Sequence, residues 1–331
     1  MRLALTFNRK RDDREADAEL DTLETVHTLA STIASLGHTV MPIEVSGSIE
    51  ALVRTLRRTA PDLVFNIAEG THGRFREAFY PALFEQLGLA HTGSDACVLA
   101  VCLDKALAKR IVSSAGVAVP RDHVLRAPIA DLELTFPVIV KPNYEGSSKG
   151  ITQASVVTER AQLRSTIERL LATYPSGLLV EELIDGDDVS VAFVAGLGVL
   201  PPVRYLYEPT GPHRILDFEL KHGVHRVRLE VPATLDAATT ASVTDAATRA
   251  FDVLGVTGFG RADFRITPGG EVRFLEMNPL PSLASRDAEL FVSAAERGVN
   301  PGDMLAAIIA SGKARRARSR APTRARRARA A

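Results

Sequence analysis

Over the first hundred residues, apolar positions alternate between two rhythms. Arg2–Phe7 is a short, almost unbroken apolar run of the kind a buried strand shows, and Ala18–Leu36 repeats apolar residues at helical spacing before Gly37. Thr39–Glu44 reads again as strand, Ile49–Arg58 as helix, and Asp62–Ile67 as a strand ending near Asn66. Strands alternating with helices predict a parallel sheet covered on its faces. Such sheets hold ligands beyond the carboxyl ends of their strands, which is where Ala68–Glu77 (AEGTHGRFRE) falls.

The pattern changes near Asp104. Lys105–Ala115 predicts a helix, Phe136–Lys141 a β-branched strand, Ile151–Val157 another strand, Glu159–Thr173 a helix and Leu178–Leu183 a strand. From Asp187 onward come several strands, a long helix at Leu235–Leu254, a hairpin over 258–277 and two closing helices. The predicted units are therefore 1–103, 104–186 and 187–312, followed by a disordered arginine-rich tail at 313–331.

Composition adds little until its distribution is considered. The 331 residues are 46% hydrophobic and 24% charged, as in ordinary globular proteins. Zero net charge conceals a tail with eight arginines, one lysine and no acid, leaving 31 basic against 40 acidic residues in the body. No basic stripe continues from the tail, so nucleic-acid binding is not expected. No apolar run reaches the length of a membrane span, and no secretory signal opens the chain, so a cytoplasmic location is expected. Cys97 and Cys102 read as buried thiols of one helix.

Three stretches carry chemistry. In the hairpin, GFGRADFRI and EVRFLEMN flank Thr267-Pro268-Gly269-Gly270. A two-residue turn at Gly269-Gly270 would set Asp263 opposite Glu276 and Arg261 opposite Asn278, all on one face. Opposed carboxylates repel unless a cation lies between them, and two acids with an amide oxygen suit Mg²⁺. A solvated sheet face with charge pairs such as Arg261–Glu276 would show the same spacing. The second stretch is PNYEGSSKG, where small residues and backbone N–H groups follow Lys141, a part-buried lysine that needs an anion. The third, LLVEELIDGDD, sets Glu181 and Glu182 at a strand end, with Asp188 after a turn.

In this order and with these separations, HTGSDACVLAVCLDK (91–105), FPVIVKPNYEGSSKGI (136–151), LLVEELIDGDDVSV (178–191), GFGRADF (258–264) and FLEMNPLPS (274–282) resemble the ATP-grasp ligases, within them the D-alanine–D-alanine ligase family. The resemblance implies an α/β ATP-grasp fold, with an N-terminal parallel-sheet domain and two α+β subdomains enclosing ATP. It implies an ATP-dependent carboxylate–amine ligase that forms an amide through an acyl-phosphate. Lys105, Lys141 and Lys221 match the ATP-phosphate lysines, and Glu181, Glu182, Ile184 and Asp188 the adenine and ribose clamp. Ser147 and Ser148 lie in the loop closing over the γ-phosphate. Asp263, Glu276 and Asn278 match ligands of magnesium, or manganese in its place, and Arg261 the residue that steadies the oxyanion. Related ligases are commonly dimers, so a homodimer is an expectation.

Departures concern the substrates. Glu15, Glu19 and Asp21 stand where the family grips the first amino group, none cleanly aligned. Glu69, His72, Arg74 and Glu77 are candidates for the first-substrate pocket, His222 replaces a tyrosine, and Ser282, with Ser285 or Arg286, stands where the second carboxylate is held. The substrates expected are amino acids or small peptides. D-alanine–D-alanine synthesis, a cyclising ligase and a non-catalytic nucleotide-binding scaffold are the alternatives.

Overall fold

The computed structural model describes residues 1–128, 132–223, 227–283 and 287–320, and of 316–320 only the backbone. Its first region holds β1 (Arg2–Phe7), α1 (Leu23–Ser35), β2 (Thr39–Glu44), α2 (Ile49–Thr59), β3 (Leu63–Asn66), α3 (Arg76–Gln86) and α4 (Ala96–Leu103). The three strands form a parallel sheet in the order β2-β1-β3. Alternation along β1 divides its residues between two cores. Leu3, Leu5 and Phe7 pack with Val26, Leu29 and Ile33 of α1, while Ala4 joins Leu52, Leu56 and Phe84 from α2 and α3.

Helix α1 begins later than its apolar spacing predicts. The Thr22 hydroxyl accepts the Thr25 N–H and caps the helix, and Glu15–Asp17 forms only a short 3₁₀ turn. Residues 15–21 are thereby left outside the helix, free to reach toward the rest of the molecule.

Next come α5 (Lys105–Ser114), β4 (Asp122–Leu125), β5 (Val138–Pro142), β6 (Val156–Val157), α6 (Arg160–Thr173) and β7 (Leu178–Glu182). The strands make an antiparallel sheet, β4-β7-β5-β6, against which α6 packs Leu163, Ile167 and Leu170. The strand expected over 151–157 shrinks to two residues, because Thr152 and Ser155 cap a 3₁₀ turn reciprocally.

The last region comprises β8 (Asp187–Val194), β9 (Gly198–Val199), β10 (Val203–Leu206), α7 (Phe218–His222), β11 (Arg228–Glu230), α8 (Ala237–Leu254), β12 (Phe259–Ile266), β13 (Val272–Asn278), α9 (Glu289–Ala295) and α10 (Pro301–Arg320). Its six-stranded sheet runs β11-β10-β8-β12-β13, with β9 beside β8. The core under β1 is completed from this region by Phe259, Leu290, Met304, Leu305 and Ile308.

Helix α10 continues to Arg320, eight residues into the segment expected to be a disordered tail. Arg315 explains the extension: its guanidinium donates to the Gly93 carbonyl at 2.6 Å and to the Thr257 hydroxyl at 2.5 Å. Among the described residues, no helix is long and apolar enough to cross a membrane.

Candidate active site

The β12–β13 hairpin pairs Asp263 with Glu276 and Arg261 with Asn278, the expected register, but reaches it by another route. Thr267 pairs with Glu271 around a three-residue turn. An irregularity between Asp263 and Phe264 then shifts the pairing by one, so that Phe264 meets Phe274. Asp263 and Glu276 share a face, and each has a cation beside it. The Arg261 guanidinium donates both of its bonds to Asp263 at 2.7 Å, and the Lys105 ammonium lies 2.9 Å from Glu276. Burial and the neighbouring Glu276 charge push the Asp263 carboxyl up despite Arg261. Burial also works against ionisation of Glu276, yet Lys105 and Lys141 hold it down at about 2.

This face meets the second sheet across a cleft lined by Lys105, Lys141, Ser148, Glu182, Ile184, Asp188 and Lys221. Lys105 opens α5, where the Asp104 side chain caps the helix through the Leu107 N–H. Lys141, buried on β5, does find its anion, but within the chain: Glu181 lies 2.5 Å away. Burial lowers the Lys141 ammonium to about 8 even so. Glu181 also pairs with Lys109, a fully buried lysine of α5 that sequence reasoning missed. Its carboxylate is therefore committed to two lysines rather than exposed to a ribose. Asp188 is likewise engaged, by Tyr207 and by Arg265 at 3.1 Å, whereas among the described residues Glu182 has only Arg121 as a side-chain partner, at 3.9 Å.

The loop after β5 is strained and tethered. Ser147 and Ser148 both have positive φ, at 51° and 57°, which is uncommon for residues with a side chain. Ser148 donates to the Leu216 carbonyl at 2.9 Å, and His222 of α7 approaches the Ser147 carbonyl at 3.1 Å. From the other side Glu19 accepts the Gly146 N–H at 2.8 Å and pairs with Arg76 and Lys149. Arg76, 6% exposed, is a second residue that sequence reasoning missed. An arginine opening a helix beside a glycine-rich stretch was the available signal.

A second cavity continues from the first, bordered by Ser147, His222, Asn278 and Ser282 on one side and by Glu69 and Glu77 on the other. His72 and Arg74 are not among its walls. Both lie exposed in the loop before α3, and the Arg74 guanidinium sits 5.4 Å above the Tyr144 ring. Helix α3 starts only at Arg76, so its first turn, not the preceding loop, faces inward. Ser285 and Arg286 lie outside the described residues. Asn278 accepts the Leu280 N–H at 2.9 Å, which steadies it beside Glu276.

The donor set fits a hard cation. Asp263, Glu276 and Asn278 offer oxygens from one face of the hairpin. Among the described residues, no group of three or more His, Cys, Asp or Glu could hold a metal ion.

Residues 118–310 match the family model described as the D-ala D-ala ligase C-terminus. The chain is 30% identical over 315 residues to a D-alanine–D-alanine ligase of Pseudomonas fluorescens, covering 94% of this chain and 91% of that one. In structure it is similar to the D-alanine–D-alanine ligase of Bacillus anthracis complexed with ATP, with a TM-score of 0.76 at 20% identity over 96% of this chain and 99% of that one. It is also similar to the VanG D-Ala:D-Ser ligase of Enterococcus faecalis, with a TM-score of 0.74 at 23% identity over 94% and 99% of the two chains. At these identities the two structures speak for the fold.

Proposed function

The chain belongs to the D-alanine–D-alanine ligase family, and on that premise we propose how its residues share the work of joining two amino acids or small peptides. It is an ATP-dependent carboxylate–amine ligase with the ATP-grasp fold, and it forms an amide bond. The observation that carries the assignment of roles is the convergence of Lys105, Lys141, Lys221 and Arg261 with Asp263 and Glu276 along one cleft.

In this reading residues 1–103 supply one substrate wall, 104–186 and 187–312 enclose the nucleotide, and Ile184 and Glu182 border the adenine end. A carboxylate is a poor electrophile until its oxygen takes the γ-phosphoryl group, so the protein's task is charge neutralisation and positioning. Lys105 and Lys141 lie where phosphate oxygens would gather, and Lys221 faces them from α7. Asp263, Glu276 and Asn278 would hold magnesium, which when bound would offset repulsion between phosphates and the substrate carboxylate. Arg261, buried beside Asp263, donates to the oxyanion that forms as the amine attacks. The tethered loop at 145–150 excludes water that would hydrolyse the acyl-phosphate.

Release of ADP and phosphate, screened across pairs of D- and L-amino acids, tests the reading. Stimulation by D-alanine alone would replace it with D-alanine–D-alanine synthesis, the activity that the relatives' names carry. No stimulation by any pair, with ATP still bound, would replace it with cyclisation or a scaffold. Arg261→Ala is expected to leave ATP affinity nearly unchanged while abolishing ligation.

A further inference from the structure

The second cavity, of about 330 Å³, is electrically lopsided. Three carboxylates line one end of it: Asp21 from the segment before α1, Glu69 after β3 and Glu77 in the first turn of α3. Among the described residues none of the three makes a side-chain hydrogen bond or ion pair. Glu77 is only 6% exposed and lines the cavity, so its carboxyl is largely removed from bulk water. That is costly unless a ligand completes it.

The cations nearby make their direct contacts elsewhere, although Arg76 acts through space on Glu69 and Glu77, and Lys105 and Lys149 on Glu77. Arg76 and Lys149 serve Glu19 and Glu145, Lys10 serves Asp13, and Lys105 serves Glu276. Arg261 belongs to Asp263 and Glu289 at the opposite end. Lys221 acts on Asp263, Glu276 and Glu289, also at that end. Glu19, with both oxygens occupied, has no capacity left for a substrate ammonium. Burial pushes Glu69 well up and Asp21 and Glu77 to about 7, and at Glu69 the charges of Glu77, Glu19 and Asp21 add to it.

The cavity is thus cationic where the substrate carboxylate must react and anionic at its far end. One α-ammonium would answer one of the three acids and leave two opposed. We propose that the acidic end receives a second ammonium, so that the amino acid bound in this cavity is a diamino acid of the lysine or ornithine type. The inference rests on reading the cleft as an amino-acid ligase site. It specifies the side chain which that site selects.

Norleucine, which has the lysine skeleton without the terminal charge, isolates the effect. Binding of D- and L-lysine, ornithine and norleucine to the full chain, loaded with magnesium and a non-hydrolysable ATP analogue, is measured by calorimetry. One of the diamino acids is expected to bind at least about tenfold more tightly than norleucine. Glu77→Gln and Glu69→Gln, each checked for an intact thermal transition, are expected to erase that preference by weakening the diamino acid far more than norleucine. Should Glu77→Gln not fold, Glu69→Gln and Asp21→Asn carry the comparison. Equal binding of norleucine, equal weakening of both ligands by the substitutions, or no binding of any diamino acid would overturn the proposal. A diamino preference in binding without any stimulated ADP release would instead overturn the ligase reading and leave this selectivity standing.

Discussion

The Glu19 carboxylate accepts the backbone N–H of Gly146 at 2.8 Å, although 127 residues of chain separate the two. A Cβ at position 146 would come within 2.3 Å of the same carboxylate oxygen, so any side chain there would have to displace the Glu19 carboxylate. Glu15 repeats the arrangement at the other end of the loop, accepting the Gly150 N–H at 2.5 Å. The loop over the cleft is therefore positioned by the N-terminal segment as well as by its own sequence.

Gly146→Ala should push the loop away from Glu19 and lower turnover by about a hundredfold, the scale on which small displacements of positioning groups act. Melting temperature should change little, because the loop adds little to the core. Steady-state kinetics beside a thermal melt separates these effects, and unchanged turnover would remove the loop's tether from the mechanism.

Glu181 and Glu182 are neighbours with different duties. Glu181→Gln leaves Lys109 and Lys141 buried without their counter-charge and should destabilise the chain by about 3–5 kcal/mol in urea unfolding. Glu182→Gln removes only a distant partner of the exposed Arg121 and should leave stability within about 0.5 kcal/mol. Nucleotide affinity should fall in the second variant. Equal stability losses would contradict the lysine-bridging role of Glu181.

Ligand-free stability should fall as pH rises from about 4 to 7, because burial raises Asp21 and Glu77 to about 7. The folded chain binds more protons than the unfolded one across that window, so this contribution is full below it and gone above it. Arg76, Lys105 and Lys149 oppose the shift at Glu77, and Glu19 adds to it. Glu276 and Glu289 have the reverse sign. Held at about 2 by their cationic neighbours despite burial, they stabilise above about 4.5, and that share is lost as pH falls toward 2. Glu77→Gln should flatten the decline between pH 5 and pH 8 by up to about 3 kcal/mol. Unfolding midpoints at the two pH values, compared between the two proteins, measure it; parallel declines would count against the raised carboxyl.

Ending the chain after Arg320 should leave the melting temperature unchanged. Ending it after Gly312 removes Arg315 and its bonds to Gly93 and Thr257, at a cost of about 2 kcal/mol and several degrees. A melt that does not distinguish the two truncations would mean that the clasp contributes nothing.

Much of this site is legible in the residues because its parts are local. Asp263 and Glu276 face one another through strand alternation and a short turn, and a change in turn length was compensated by an irregularity further along the same hairpin. The lysines and the glycine-serine loop sit at strand and helix ends, where apolar periodicity stops. Long-range pairings leave no such trace. His72 and Arg74 have the same polarity as Arg76 and Glu77, yet only the start of α3 decides which pair turns inward.

The strands of the N-terminal sheet, the face shared by Asp263 and Glu276, and the placement of Lys105 and Lys141 at element ends are determined by sequence alone, since each depends on neighbours a few residues away. The tertiary structure decided that Glu181 is spent on two lysines, that Glu19 holds Gly146, that Arg315 ties down the final helix and that Glu69 and Glu77 border one cavity. A buried charge is governed by whatever the fold brings within a few ångströms of it, and chain distance does not encode that.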